Sequence, residues 1–244
     1  MSHSEVVFSP SETPLPDRSV GELVAERPGR SRVFQAHNLD FCCQGGKTLR
    51  EACERKGVSL GTVVAELELE QKDPVESESN PAELPPQDLC DHIVQRHHDY
   101  LREELPRLHA MSERVARVHG GHTASLVEVY KVFTDMANDL LAHMRKEEQV
   151  LFPAIKAMNE EGATPQSLEG PISVMIREHD EAGAALEQLS DLTNRYQPPA
   201  DACNTYRALF AGLGELEDDL KRHIHLENAV LFPAARRMIG EEGS

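Results

Sequence analysis

The sequence predicts an all-α protein, a C-terminal four-helix bundle preceded by a small helical domain. Three observations carry that prediction. Beyond Asp88 apolar residues recur at helical spacing in four runs: Val94, Leu101, Leu105 and Leu108; Met136, Leu140 and Val150; Met175, Ala182, Leu186 and Leu189; Leu213, Leu216, Leu220 and Val230. The runs are separated by turn-rich text, "HGGH" at 119–122, "EEGATPQSLEGP" at 160–171 and "RYQPPADA" at 195–202. The phrase His-x-x-x-Glu-x-x-x-Leu-Phe-Pro-Ala is written twice, from His143 and from His223. Four long helices with short connections pack as a bundle around a shared core.

The elements follow in order. Residues 1–16 read as a disordered tail. Residues 17–70 read as a small helical domain carrying two adjacent cysteines: one helix beginning near Ser19, a second over "RSRVFQAHNL", the turn-rich "DFCCQGGK", a third and a fourth. The third starts with the capping-box pair Thr48 and Glu51 and stops at Gly57. Residues 71–87, rich in Pro, Glu and Ser and without an apolar period, read as a linker. Residues 88–240 form the bundle. Pro106, Pro153 and Pro233 fall inside or near helix ends, where kinks are expected.

Composition narrows the function. The chain has 244 residues, 39% of them hydrophobic, and a formal net charge of −17. That charge, with no basic stretch to offset it, argues against recognition of nucleic-acid phosphates. No apolar run reaches the length of a membrane span, and the first residues lack the basic start and apolar stretch of a secretory signal. Five cysteines, an odd number that includes an adjacent pair, do not make a secreted disulfide framework. A cytoplasmic protein is expected.

The chemistry lies in the repeat. Arg-x-His-Asp occurs at 96–99 and again at 177–180, so His98 and His179 are 81 residues apart, and His143 and His223 are 80 apart. The bundle therefore reads as two helical hairpins related by a pseudo-twofold axis. Each contributes one His from its first helix and a His/Glu pair from its second. Residues four apart share a helix face, so four histidines and two glutamates would converge in the core. Burying them without a cation would strand carboxylates away from water at a cost of several kcal/mol. Two divalent metals resolve this, with iron favoured by the donor set and zinc or manganese also compatible. His3, His37, His92, His109, His119 and His122 have no repeated counterpart and are expected at the surface. His97 and His225 are expected off the inward face, either behind the site residues or at the surface, Glu148 and Glu178 on solvated helix faces, with proton shuttling the alternative for Glu178, and Cys53, Cys90 and Cys203 in packing roles.

These motifs resemble a known family. "HMRKEEQVLFP", "GPISVMIREHDEAG" and "HIHLENAVLFP" resemble the motifs of a hemerythrin-like bundle. With "DFCCQGGKTLREAC", similar to a double-cysteine N-terminal domain, nearly the whole chain resembles the bacterial di-iron family that repairs iron–sulfur clusters. The resemblance implies two non-haem iron ions, carboxylate-bridged and open to an oxo bridge, on His98, His143, Glu147, His179, His223 and Glu227. It further implies a homodimer that serves damaged iron–sulfur proteins under nitrosative or oxidative stress, chiefly by supplying iron. The same centre would suit a nitric oxide reductase with Cys42 and Cys43 as electron relay, or a module that senses NO or O2. Cys42 and Cys43 are expected to handle electrons or iron. One departure stands out: where oxygen-carrying hemerythrins place a further His one turn after the third-helix ligand, this chain has Gly183. Their last carboxylate also falls one residue later, at the position of Asn228 here.

Overall fold

The computed structural model describes residues 13–70, 80–158 and 168–241. It divides into two compact units, residues 1–78 and 79–244. Most of the expected tail, and residues 71–79 of the expected linker, lie outside the described residues.

In the N-terminal unit local sequence chemistry sets each helix. Helix α1 (Val20–Glu26) opens with a capping box: Ser19 Oγ accepts the Glu22 N–H at 3.2 Å and the Glu22 carboxylate accepts the Ser19 N–H. Helix α2 spans Arg30–Ala36. Helix α3 (Leu49–Lys56) opens with the Thr48/Glu51 capping box and closes at Gly57, whose φ of 66° lies in the left-handed region that glycine adopts without strain. Helix α4 spans Leu60–Glu70. Leu23, Phe34, Phe41, Leu49, Val63 and Leu67 are buried between them. The loop joining α2 to α3 is drawn against α1, where the Gly21 N–H donates to the Gly45 carbonyl at 2.8 Å. A Cβ on Gly45 would sit 2.7 Å from the Phe41 carbonyl oxygen, so only glycine fits that turn.

The C-terminal unit is built from α5 (Pro86–Ile93), α6 (Asp99–His119), α7 (Ser125–Lys146), α8 (Phe152–Ala157), α9 (Glu169–Leu192), α10 (Asn204–His225) and α11 (Phe232–Glu241). These make four rods, because α5 runs into α6, α7 into α8 and α10 into α11. Each junction is a π-helical turn, at Val94–His98, Glu147–Leu151 and Leu226–Leu231. Helix α6 packs on α7 and α10, and α7 packs also on α9. The first rod begins at Pro86, two residues before the expected start.

The three prolines sit in two different settings. Pro153 and Pro233 each lie two residues beyond a π turn, where the Phe152 N–H reaches back to the Glu147 carbonyl and the Phe232 N–H to that of Glu227. The widened turn relieves the clash a proline ring makes with the preceding turn of an α-helix. Pro106, by contrast, sits inside α6, which continues unbroken. Below the π turns Leu89, Ile93, Leu151, Ile155, Ile172, Met175, Leu231 and Ala235 form one apolar cluster that closes this end of the bundle.

Candidate metal centre

Each π turn carries or adjoins a site residue: His98 ends the first, and Glu147 and Glu227 begin the other two or fall within them. Such a bulge re-aims side chains off the regular helical stripe. All six predicted side chains are buried and meet in the bundle. The carboxylate of Glu147 lies 3.3 Å from His98 Nε2 and 3.2 Å from His143 Nε2. That of Glu227 lies 3.0 Å from His179 Nε2 and 3.3 Å from His223 Nε2. The Nε2 atoms of His143 and His179 are 3.2 Å apart. The donor atoms form two groups, His98, Glu147, His223 and Glu227, and His143, Glu147, His179 and Glu227, each with its atoms within 4.8 Å of one another. Both glutamates belong to both groups.

Charge without hydrogen bonding marks the site. Glu147 and Glu227 are fully buried, yet none of their four oxygens takes up a well-directed hydrogen bond among the described residues, and neither does Nε2 of His98 or His223. Buried polar atoms are almost always satisfied. Six side chains aimed at a common interior, four of them with their inward acceptors unused, fit a set of divalent cations. In the protein alone, burial works against a protonated His143, but the charges of Glu147 and Glu227 outweigh it and push its pKa up to about 9. His223 is raised in the same way by Glu227, while burial of Glu227 is overcome by His223 and His179, which hold its carboxyl well below the usual range.

The rings are oriented from behind. His98 Nδ1–H donates to Glu148 at 2.6 Å, His143 Nδ1–H to Glu178 at 3.0 Å and His179 Nδ1–H to the Asn228 amide oxygen at 2.9 Å. Each bond leaves Nε2 with its lone pair toward the centre. Arg102 also binds Glu148, and Lys146 binds Glu178. His223 is held differently, with His97 stacked on it at 5.4 Å and His97 Nδ1 donating to buried Asp219 at 3.0 Å. Phe152 stacks on His98 and Phe232 on His179, with ring centroids 5.8 and 5.9 Å apart. The duplicated Phe thus walls the equivalent ring in each half.

These placements correct several expectations. Glu148 and Glu178 are not merely solvated; they anchor imidazoles. His97 and His225 are buried, at 3% exposure each, so of the two roles expected for them a place behind the site fits and a place at the surface does not. Cys203 is exposed rather than packed, at the start of α10 with its sulfur 3.3 Å from His119 Nε2, whereas Cys53 and Cys90 are buried. The repeat contained the signal: Glu148 and Asn228 each follow a bridging-position glutamate, and His97 and Glu178 each precede a histidine of the site. A cavity of about 310 Å3 lies between α7, α9 and α10, reaching His143, His179 and His223 and bordered by Asp135, Asp139 and Glu181. On α9 it is lined by Ala182, one position before Gly183. Cys42 and Cys43 belong to the other unit, in the loop between α2 and α3.

Fold and site together define a hemerythrin-type, cation-binding bundle. Residues 91–235 match the hemerythrin HHE cation binding domain, and residues 16–71 match ScdA_N, a domain of unknown function. The chain is 46% identical over 223 residues to the iron-sulfur cluster repair protein YtfE of Musicola paradisiaca, covering 91% of this chain and 97% of that one. It is 42% identical over 219 residues to the proteins of that name from Shigella boydii and Escherichia coli O1:K1, covering 90% of this chain and 96% of each. The chain belongs to the family of iron-sulfur cluster repair proteins. No helix among its described residues is long and apolar enough to cross a membrane.

Proposed function

We propose that this protein repairs iron–sulfur clusters damaged by nitrosative or oxidative stress, and that it does so by supplying iron. One observation carries the mechanism: two buried glutamates with unused oxygens, each within 3.3 Å of imidazoles from two different helices. Two non-haem irons would be held by His98, His143, Glu147, His179, His223 and Glu227, the glutamates serving both ions. Bound there, the iron is cargo for a damaged cluster.

The protein's own residues prepare that transfer. Glu148, Glu178 and Asn228 hold three rings in the tautomer that offers Nε2. Phe152 and Phe232 keep the far side dry. The cavity beside α9 gives iron a way out and small ligands such as NO or O2 a way in, and its acidic border attracts cations. The clients would be cytoplasmic iron–sulfur proteins. Reconstitution of an apo-cluster protein by the iron-loaded chain tests the reading. Recovery should fail with His143→Ala combined with Glu147→Ala, and equal recovery by that variant would overturn it.

A further inference from the structure

The N-terminal unit gathers a second set of donor atoms. One oxygen of Asp40 and the sulfurs of Cys42 and Cys43 all lie within 4.8 Å of one another. Asp40 Oδ1 accepts the backbone N–H groups of Cys42 and Cys43 at 3.1 and 3.0 Å, which fixes the carboxylate over the loop. The Cys42 thiol donates to the same oxygen at 3.2 Å. The two sulfurs are 3.7 Å apart, in contact but far beyond a disulfide bond of about 2.05 Å. The loop is braced from below, because Gly45 is hydrogen-bonded to α1 at a point where no side chain fits. Cys42 is buried and Cys43 half-buried, so the group has a closed side and an open one.

The surroundings disfavour the simplest alternative, an activated redox thiol. Such thiols sit beside positive charge, which lowers their pKa. At Cys42 the thiol instead meets the Asp40 carboxylate at 3.2 Å and the Cys43 sulfur at 3.7 Å. A bound cation reverses that logic, since it supplies the opposing charge and takes the thiols as thiolates.

We propose that Asp40, Cys42 and Cys43 bind one thiophilic divalent cation of the ferrous-iron or zinc class, in a site separate from the bundle centre. Two sulfurs and a carboxylate suit borderline-soft ions. Loading forms two metal–sulfur bonds, breaks two S–H bonds and releases two protons to solvent, with no electron transferred. Three protein donors leave a fourth position for an exchangeable ligand, as in sites that react or pass on their ion and unlike closed structural sites. This site stands apart from the cluster-repair reading and can fail without it.

The test is an anaerobic titration of the reduced, iron-loaded, full-length chain with Co2+. Uptake of one ion should bring a sulfur-to-cobalt charge-transfer band, which the nitrogen and oxygen donors of the bundle do not produce. Release of two protons should accompany it, and excess Zn2+ should bleach it. The band should vanish in Cys42→Ser combined with Cys43→Ser. Asp40→Asn, which still accepts both N–H groups, should weaken uptake by about tenfold or more. Unchanged iron content and melting curves in the variants would separate loss of the site from loss of the fold. Absence of the band in the native chain, its survival in the double serine variant, or its resistance to Zn2+ would overturn the proposal.

Discussion

The two hairpins of the bundle carry the same inward residues but different supports. In the first, His98 and His143 each donate to a carboxylate, Glu148 or Glu178. In the second, His179 donates to a neutral amide and His223 is held by the stacked ring of His97. A carboxylate behind an imidazole raises its basicity and pins its orientation more firmly than an amide does. Because each donor group takes one histidine from each hairpin, the difference does not separate the two groups. It separates a tightly supported half of the shell from a looser half. The cavity reaches both histidines of the looser half and one, His143, of the other. The repeat keeps the inward donors alike and varies the contacts behind them.

The largest effect should come from the residues both hairpins share in kind. Glu147→Ala or Glu227→Ala should each abolish most iron binding, read as iron per chain by elemental analysis, since each glutamate serves both groups. A variant retaining two irons would break the symmetric picture.

Next come the supports. Glu148→Gln gives the first hairpin the neutral partner found in the second and should weaken metal affinity by about 10-fold, within the range for removal of such groups. Asn228→Asp, the reverse exchange, should tighten it. Competition against a chelator of known affinity measures both. If Asn228→Ala costs as much affinity as Glu148→Gln, the hairpins are supported equally and the comparison fails.

A pH series sharpens it further. In the metal-free protein His143 is raised from its ordinary 6.5 to about 9. Its protonated form is therefore stabilised by folding, a contribution fully present below pH 6.5 and lost as pH climbs through about 9. The melting temperature of chelated protein should decline across that interval, and His143→Gln should flatten the decline.

The smallest expected effect concerns the feature the hairpins hold alike. Phe152→Leu and Phe232→Leu each remove a ring stacked on a histidine and should lower stability by about 1–1.5 kcal/mol, read from denaturant midpoints. The two values should agree. A clear difference would show that the apolar walls have diverged as well.

Much of this was legible beforehand, because periodicity and register are properties of the chain. The spacing of His143 to Glu147 and of His223 to Glu227, matched at an offset of 80, named side chains that meet in space. The capping boxes at Ser19 and Thr48 and the stop at Gly57 act within a few residues, so they too are written locally. The second contacts of the rings were hidden by their length in sequence. Glu148 reaches His98 across 50 residues, and Asn228 reaches His179 across 49.

The sequence by itself determined the helices, the two-hairpin repeat and the six polar side chains that point inward, since helical geometry makes spacing equivalent to direction. Tertiary structure decided the rest. The π turns at Glu147–Leu151 and Leu226–Leu231 each stand just ahead of a proline, and His97 is buried because α10 brings Asp219 against it. Cys203 stays at the surface because it precedes the first turn of α10, and Asp40 faces two thiols because the loop folds back on α1. Each of these depends on which elements pack together, a fact that no local pattern of residues encodes.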